Sequence, residues 1–501
     1  MVPGSLKGAT ADRSDLFWQL LLTLVFLVLY FITTASWPHP YDSAKFQFIG
    51  KVLGTPHPTG YPTYILLNFI WVHLLPLGSL AWKVNILSAV LTIAALNFTY
   101  RSIVIFDIKK HFAFIAAVIL GMTRELWRYS VTAEVYSLHL FFTSLVVYLL
   151  LKWHLEKREK YFFLACFFYA LSFGNHMTSI TLLPAWIYIV IITDWKTFFN
   201  IKRISWIILS VFIGVLQYSY LFWRYYDPAT RFLEGRTPDL KSFWLFVTGG
   251  NWQTEMFVFS TWELLFSRLP RLFHKTMIDF FYLPFLLALI GIFVFKNKRL
   301  NIFFLLIIVG NSFFALNYNI VDISSYYLPN YFILTVYLAF GLQFLANRVG
   351  SSVKKYRSIL ITYGIFLFFF AVVNVDYMNR LFLKSNETVP SEVKACLQSV
   401  GKDAVIISPG YRYSTVFWYY LLGEGLQEKN NLYLVHHFKL KAIEDYFYRE
   451  TPIYLYGERK YTPLNLDVYV FDVGIKDQLL RAGFKVEPIA GNLYRVFKKN
   501  R

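Results

Sequence analysis

Asp42 stands in the string Trp37-Pro38-His39-Pro40-Tyr41-Asp42-Ser43, directly after a long apolar run. The prolines limit backbone freedom and the aromatic rings build walls, so the carboxylate can be held in a cleft. A carboxylate so placed can take a proton from a hydroxyl nucleophile or ligate a divalent cation. It can equally be an ordinary solvated loop residue. Pro56-His57-Pro58-Thr59-Gly60-Tyr61-Pro62 follows and adds His57 and Tyr61, although a lone histidine also serves as a structural or interfacial side chain. Further along, Thr132-Ala133-Glu134-Val135-Tyr136 opens an apolar run. Glu134 near hydrocarbon is costly unless it faces water or pairs, and Arg124 and Arg128 are the nearby candidates for a structural ion pair. Asn175 and His176 close another apolar run, and Asp322 with Tyr326 closes a third. Polar clusters that gather repeatedly at the ends of apolar runs point to one shared site.

A segment from residue 223 to 275 carries Arg224, Arg231, Arg236, Lys241, Arg268, Arg271 and Lys275. Guanidinium forks recognise phosphate, and the same charges also adhere to anionic headgroups. No Walker A loop, Cys/His zinc spacing or Gly-x-Ser-x-Gly elbow occurs. The energy for any transfer must therefore arrive with an activated substrate rather than from ATP.

The elements that must position these residues are membrane spans. Of 501 residues, 56% are hydrophobic and 20% aromatic, while 16% are charged, against about 25% in ordinary globular chains. The net charge of +19 comes largely from short Lys/Arg clusters between apolar runs, as cytoplasmic loops require. No basic groove with interleaved aromatic residues argues for nucleic acid. Apolar runs of about spanning length number about eleven: Leu16–Ser36, Val84–Ile105, Phe112–Trp127, Tyr136–Trp153, Tyr161–Phe173, Ser179–Ile192, Ile204–Phe222, Met277–Phe295, Ile302–Leu316, Leu328–Leu345 and Ile359–Val375. The first is longer than a signal-peptide core and is read as a retained span. Cys166 and Cys396 fall in different compartments, so no disulfide is expected between them.

Tyr64–Leu75 is the ambiguous segment, about 12 apolar residues between prolines and short for a span. If it does not cross, the basic loops at Lys109-Lys110, Lys152 to Lys160, Lys196 to Arg203, Lys296 to Arg299 and Arg348 to Arg357 all fall on the cytoplasmic side. It is therefore expected to be a re-entrant or interfacial helix in a first outer loop of residues 37–83. Beyond the spans, taken as residues 1–375, short apolar runs alternate with helical patterns at Ser414–Leu422 and His437–Arg449. Residues 376–501 are expected to form a small α/β domain outside the cytoplasm.

Asp42-Ser43, His57-Pro58-Thr59-Gly60-Tyr61-Pro62, Val84-Asn85-Ile86-Leu87-Ser88-Ala89, Leu126-Trp127 with Ala133-Glu134-Val135-Tyr136-Ser137, and Leu171-Ser172-Phe173-Gly174-Asn175-His176 occur in this order. Together they resemble a polytopic family that includes an animal protein O-mannosyltransferase and many uncharacterised bacterial proteins. The resemblance covers Trp37 to Pro184. It implies a GT-C-type glycosyltransferase using a polyprenyl-phosphate sugar, with mannose as the sugar and a Ser/Thr hydroxyl as the acceptor. The first outer loop of such enzymes supplies the catalytic base, which maps to Asp42. Where the family pattern has Asp-Ser-Gly-Glu, this chain has Asp42-Ser43-Ala44-Lys45. A cation replacing the second carboxylate argues against a metal site and for a role of Lys45 at the donor phosphate. His57, Tyr61, Glu134, Tyr136, Asn175, His176, Asp322 and Tyr326 are then expected to bind donor or sugar, with Arg224 and Arg231 on the phosphate.

The expected fold is thus an α-helical, GT-C-like polytopic membrane protein with interfacial helices in the first outer loop. Its expected partners are a polyprenyl-phosphate sugar, an acceptor protein or glycan, and membrane lipids, with no cofactor and no nucleic acid. A short chain with little cysteine fits a bacterial plasma membrane. The competing classes are a lipid or polysaccharide transporter or flippase, and a non-catalytic envelope assembly protein. Polar groups gathered at one face, without paired broken helices, favour the enzyme. The Asn386-Glu387-Thr388 sequon is a three-residue match of low specificity.

Overall fold

The computed structural model describes residues 13–259, 261–349, 364, 370–380, 387–408, 410–436, 439–448, 453–455 and 460–497. Seven helices there are long and apolar enough to cross a membrane: Arg13–Thr33, Leu80–Val104, Tyr136–Glu156, Met177–Phe199, Ile201–Tyr226, Lys298–Leu316 and Ile323–Arg348. Trp262–Asp279 and Leu283–Val294, bent by 110° where they meet, make an eighth if counted as one broken span. The expected count of about eleven is therefore not reached. The reasons are specific. Lys110–Met122 has 13 residues and Glu159–Phe173 has 15, both short of the ~20 that cross unaided. The expected span at Ile359–Val375 lies mostly outside the described residues, as do Asn386 and most of the basic loop ending at Arg357.

Each long helix satisfies its own backbone, as hydrocarbon demands. In the first, Leu16, Leu20, Leu24, Leu27 and Phe31 are exposed on one side, while Leu22, Phe26 and Tyr30 are wholly buried against the bundle. Helices Leu283–Val294 and Leu328–Val349 approach closely through Gly291 and Gly341, where a Cβ would overlap the facing carbonyl oxygens of Tyr337 and Leu287.

Side-chain pairs set the course of the first two spans. Tyr100 reaches Asp15, Arg101 reaches Gln19 and Asn97 reaches Thr23 at one level after another. The Ser79 hydroxyl donates to the Ser36 carbonyl at 2.5 Å. The two helices are thus antiparallel, and the loop between them leaves and returns at one level. Its helices, Asp42–Ile49 and Pro62–Leu74, lie within that loop. The Asn68 amide pins the second to the Phe46 carbonyl of the first at 2.8 Å. The 13-residue helix expected at Tyr64–Leu75 is present as Pro62–Leu74 and does not displace the loop's return to its own end of the bundle.

The chain after the spans forms an α/β unit. Its strands are β1 (Ala404–Ile407), β2 (Leu432–Val435), β3 (Tyr454–Leu455), β4 (Lys460–Tyr461), β5 (Asp467–Phe471), β6 (Lys485–Ala490) and β7 (Leu493–Phe497). Five make one sheet in the order β2-β1-β5-β7-β6, and β3 pairs with β4 apart from it. β1 runs parallel to β2 and β5, whereas β7 is antiparallel to β5 and β6. The pleat alternates sides. Val405, Ile407, Val435, Val468 and Val470 face a small core with Ile443 and Leu479. Ala404, Ile406, Leu432, Leu434 and Tyr469 instead join the core of the spanning bundle through helices Thr388–Val400 and Tyr411–Trp418.

Candidate active site

Asp42 begins the helix Asp42–Ile49, following Tyr41 at φ 68°. A bulky residue rarely adopts that backbone region. Here the Tyr41 N–H is held by the Thr415 hydroxyl at 3.1 Å. One helical turn on, Lys45 points beneath Asp42 and is wholly buried. A buried cation must be paired, and four acceptors surround its Nζ: Asp42 Oδ1 at 3.0 Å, Glu234 Oε2 at 2.7 Å, His57 Nδ1 at 2.8 Å and the Tyr411 hydroxyl at 2.7 Å. Glu234 is delivered by a backbone bridge in which Thr55 N bonds to Phe232 O and Glu234 N to Thr55 O, each at 3.0 Å.

The proton positions follow from Lys45. Because its ammonium donates to His57 Nδ1, the imidazole carries its proton on Nε2 and donates to the Tyr61 hydroxyl at 3.0 Å. Tyr61 in turn donates to the Pro58 carbonyl at 3.2 Å. Burial and the neighbouring Lys45 cation hold His57 below its usual pKa, so it stays neutral. Burial pushes the Asp42 carboxyl upward, but Lys45 and the Tyr411 hydroxyl oppose it, and the group stays below the usual carboxylate range. Glu134 goes the other way: burial and the carboxylates of Asp42 and Asp322 hold it well above its usual pKa. Asp42 is thus held in its ionised form, while the surroundings of Glu134 favour its protonated one. Divergent pKa values in adjacent acids mark functional sites.

All the contacts to Asp42 converge on one oxygen. Oδ1 receives Lys45 and the Tyr411 hydroxyl, with His57 at 3.7 Å. Oδ2 has no protein partner among the described residues, and the side chain is 41% exposed to a cavity of about 2080 Å³. That volume exceeds the roughly 300–1,000 Å³ typical of small-molecule sites. Its walls come from the first loop, the long loop, several span ends and Tyr411.

Of the residues expected at the site, Asp42, His57, Tyr61, Glu134, Tyr136, His176, Asp322 and Tyr326 line this cavity together. Tyr136 donates to Asp322 at 2.7 Å. The Ser43 hydroxyl reaches Glu134 at 3.4 Å, and no ion pair joins Glu134 to Arg124 or Arg128 among the described residues.

Four expectations are placed differently. Lys45 is sealed under Asp42 with its donors committed, so it cannot reach a donor phosphate. Arg224 is buried in a pair with Asp227, and its Nε holds the Leu53 carbonyl at 2.7 Å. Arg231 turns to Glu428 at 3.3 Å. Asn175 is wholly buried and donates to the Val135 carbonyl at 3.1 Å. The cavity's cations are Arg236, Arg268, Arg271 and Lys275 instead. Arg268 holds the Leu316 and Tyr318 carbonyls, and Lys275 pairs with Glu125 and Asp279. Arg271 has no ion-pair or hydrogen-bond partner among the described residues. Glu234 and Tyr411 gave no signal in the sequence. Each lies more than a hundred residues from Asp42; Glu234 sits between Arg231 and Arg236 in a segment read for its cations, and Tyr411 is one of many tyrosines.

Comparison with known proteins agrees with this picture. Residues 42–198 match the family described as the protein O-mannosyl-transferase TMEM260 N-terminal domain. The Dictyostelium discoideum protein O-mannosyl-transferase tmem260 is 23% identical over 219 residues, 40% of this chain and 27% of that one. The Mus musculus protein O-mannosyl-transferase TMEM260 is 27% identical over 213 residues, 40% of this chain and 29% of that one. The chain thus matches less than a third of the length of these curated relatives. ArnT from Cupriavidus metallidurans superimposes in its apo crystal structure with a TM-score of 0.56, covering 96% of this chain and 98% of ArnT at 12% identity. The undecaprenyl-phosphate-bound structure gives 0.62, covering 96% and 97%, also at 12% identity. Likeness at that identity speaks for the fold. Over residues 42–198 the chain is thus similar to the protein O-mannosyl-transferase family, and over nearly its whole length it shares the fold of the membrane protein ArnT.

Proposed function

We propose that this protein is a membrane glycosyltransferase that moves mannose from a polyprenyl-phosphate donor to an acceptor hydroxyl, with Ser or Thr of a protein as the acceptor. The observation that carries the reading is Asp42: one oxygen is saturated by protein and the other open to a large cavity edged by cations. Asp42 Oδ2 takes the proton of the attacking hydroxyl as its oxygen bonds the anomeric carbon from the face opposite the phosphate. The bond from that carbon to the phosphate oxygen breaks, and polyprenyl phosphate leaves, with inversion. A carboxylate this acidic is a weak base toward a free alcohol. It acts once the new bond has begun to form and the hydroxyl has become acidic. Glu134, whose protonated form is favoured by burial and the neighbouring carboxylates, can in that form donate a hydrogen bond to a sugar oxygen. Arg271, aided by Arg236 and Arg268, faces the departing phosphate. No metal is invoked, because a buried cation, Lys45, already pairs with both Asp42 and Glu234.

Purified protein given labelled undecaprenyl-phosphate mannose and a Ser/Thr-rich peptide is expected to label the peptide, in EDTA as well as without it. Movement of the lipid across a bilayer without cleavage would support a flippase instead. Orientation rests on the basic loops. A reporter fused near Lys157 is expected to read cytoplasmic, with Asp42 and residues 376–501 outside, in a bacterial plasma membrane. An external reading reverses the topology.

A further inference from the structure

The α/β unit does not hang free of the bundle. Its helix Tyr411–Trp418 and the turn Tyr419–Gly423 lie directly against the helix that carries Asp42. Lys51 donates to the Gly423 carbonyl at 2.7 Å, and Ala81 N donates to the Tyr419 hydroxyl at 3.1 Å. A Cβ on Gly423 would come within 2.7 Å of Phe48 Cβ. Phe232 of the long loop meets Trp418 edge to face, with ring centroids 5.2 Å apart.

The strand-to-helix connection after β1 brings one hydroxyl into the site. Tyr411 begins the helix just past the carboxyl end of β1, next to His436 at the end of β2. Its hydroxyl accepts from Lys45 at 2.7 Å and donates to Asp42 Oδ1 at 2.5 Å. Four residues on, Thr415 holds the Tyr41 N–H, the backbone group immediately before Asp42. One helix of the α/β unit thus fixes both the carboxylate and the unusual backbone turn that presents it.

We propose that Tyr411 is a positioning residue for Asp42, and that the α/β unit is in this way a working part of the catalytic centre. It rests on the reading of Asp42 as the base. The chemistry is simple. A phenol that donates to Oδ1 fixes the carboxylate plane and engages the lone pair nearest Lys45. The proton of the acceptor then has only Oδ2 to go to. The same phenol passes Lys45's charge to the carboxylate through a second route, which favours the ionised form.

Tyr411→Phe keeps the ring, with its contacts to Tyr41 and His436, and removes only the hydroxyl. In full-length protein it is expected to lower kcat for mannose transfer to peptide about tenfold or more, within the range for misplacing a general base. The KM for undecaprenyl-phosphate mannose should stay the same. Losing a donor to the charged form lets the Asp42 pKa rise, so the acid limb of the pH–rate profile should move to higher pH. Tyr413→Phe, on the same helix and bonded to Glu392 at 2.8 Å, should leave kcat and the profile unchanged.

A readout independent of activity is the pH dependence of the melting temperature in a cycle of Tyr411→Phe and Asp42→Asn. The cost of removing the hydroxyl should be largest near neutral pH, shrink as Asp42 protonates in acid, and be reduced in the Asp42→Asn background. A cost that is equal in both backgrounds at every pH, or an unmoved acid limb, would overturn the role of Tyr411. An active Asp42→Asn enzyme would instead remove the base assignment, leaving the Tyr411–Asp42 coupling to be judged by the melting cycle alone.

Discussion

Asp42→Asn is expected to lower sugar transfer by about 10²–10⁴-fold, the usual contribution of a positioned general base, while leaving donor binding intact. The asparagine keeps the size and the hydrogen-bond acceptor that Lys45 and Tyr411 engage at the 42 position. It loses the charge and the open basic oxygen. The sign of the pH effect follows from the same contacts. Lys45 and Tyr411 hold the Asp42 carboxyl below the ordinary value of about 3.9, against the upward push of burial. The base form is therefore complete at neutral pH, and wild-type kcat should fall only at pH values below the ordinary carboxylate range. Kinetics with labelled donor, beside a donor-binding measurement, check both statements. Turnover at the wild-type rate would take Asp42 out of the mechanism.

Lys45→Met is expected to be the most damaging single change to both stability and activity. The methionine fits the stem of the lysine but leaves Glu234, whose side chain is 14% exposed, without its partner. Breaking a buried ion pair from one side costs about 3–5 kcal/mol. A fall of that size appears as a lowered melting temperature in detergent. Asp42 loses its closest cation as well, so its pKa rises and the acid limb of kcat moves upward. The double variant Lys45→Met with Glu234→Gln removes the stranded charge. It should recover much of the stability and little of the activity, because Asp42 is still without its cation. Recovery of both together would make Lys45 purely structural. A melting temperature unchanged in the single variant would mean that Glu234 is solvated and that the cluster is not sealed.

Asp42, His57, Tyr61, Glu134, Tyr136, His176, Asp322 and Tyr326, grouped from the sequence, line one cavity in the structure, although they span nearly three hundred residues. The reason is topological. Hydropathy marks where spans end, and the positive-inside rule assigns those ends to one of two faces, so residues far apart in sequence become neighbours by counting. The return of Ser79 to Ser36 is the contact that makes the count of the first loop right. Counting fails where the helices are short. Lys110–Met122 and Glu159–Phe173 are too brief to be told from buried helices by hydropathy, and the bent pair at Trp262 to Val294 does not behave as one rod.

Charges in loops were less legible than charges at span ends. A basic loop residue looks the same in sequence whether it faces a ligand or a local carbonyl. Arg224 and Arg231 went to Asp227, the Leu53 carbonyl and Glu428, while Arg271 remained available in the cavity. Only packing separates these fates. The α/β unit was visible in outline through β1, β2 and β5. The antiparallel pair β6 and β7 was not, because β6 is mostly exposed, β7 is only partly buried, and neither carries a continuous apolar run.

The sequence alone determined a multi-span membrane chain, a face on which its polar span ends gather, and an aspartate on that face in a family-like motif. These are properties of composition and one-dimensional order, set by the cost of burying backbone and charge in hydrocarbon. The tertiary structure decided what surrounds Asp42. Lys45 became its buried counter-charge rather than a phosphate ligand, because Glu234, nearly two hundred residues away, and Tyr411, more than three hundred and sixty away, close around it. No local pattern encodes such contacts, since electrostatic pairing in a dry site depends on which distant segments the fold brings within hydrogen-bond reach.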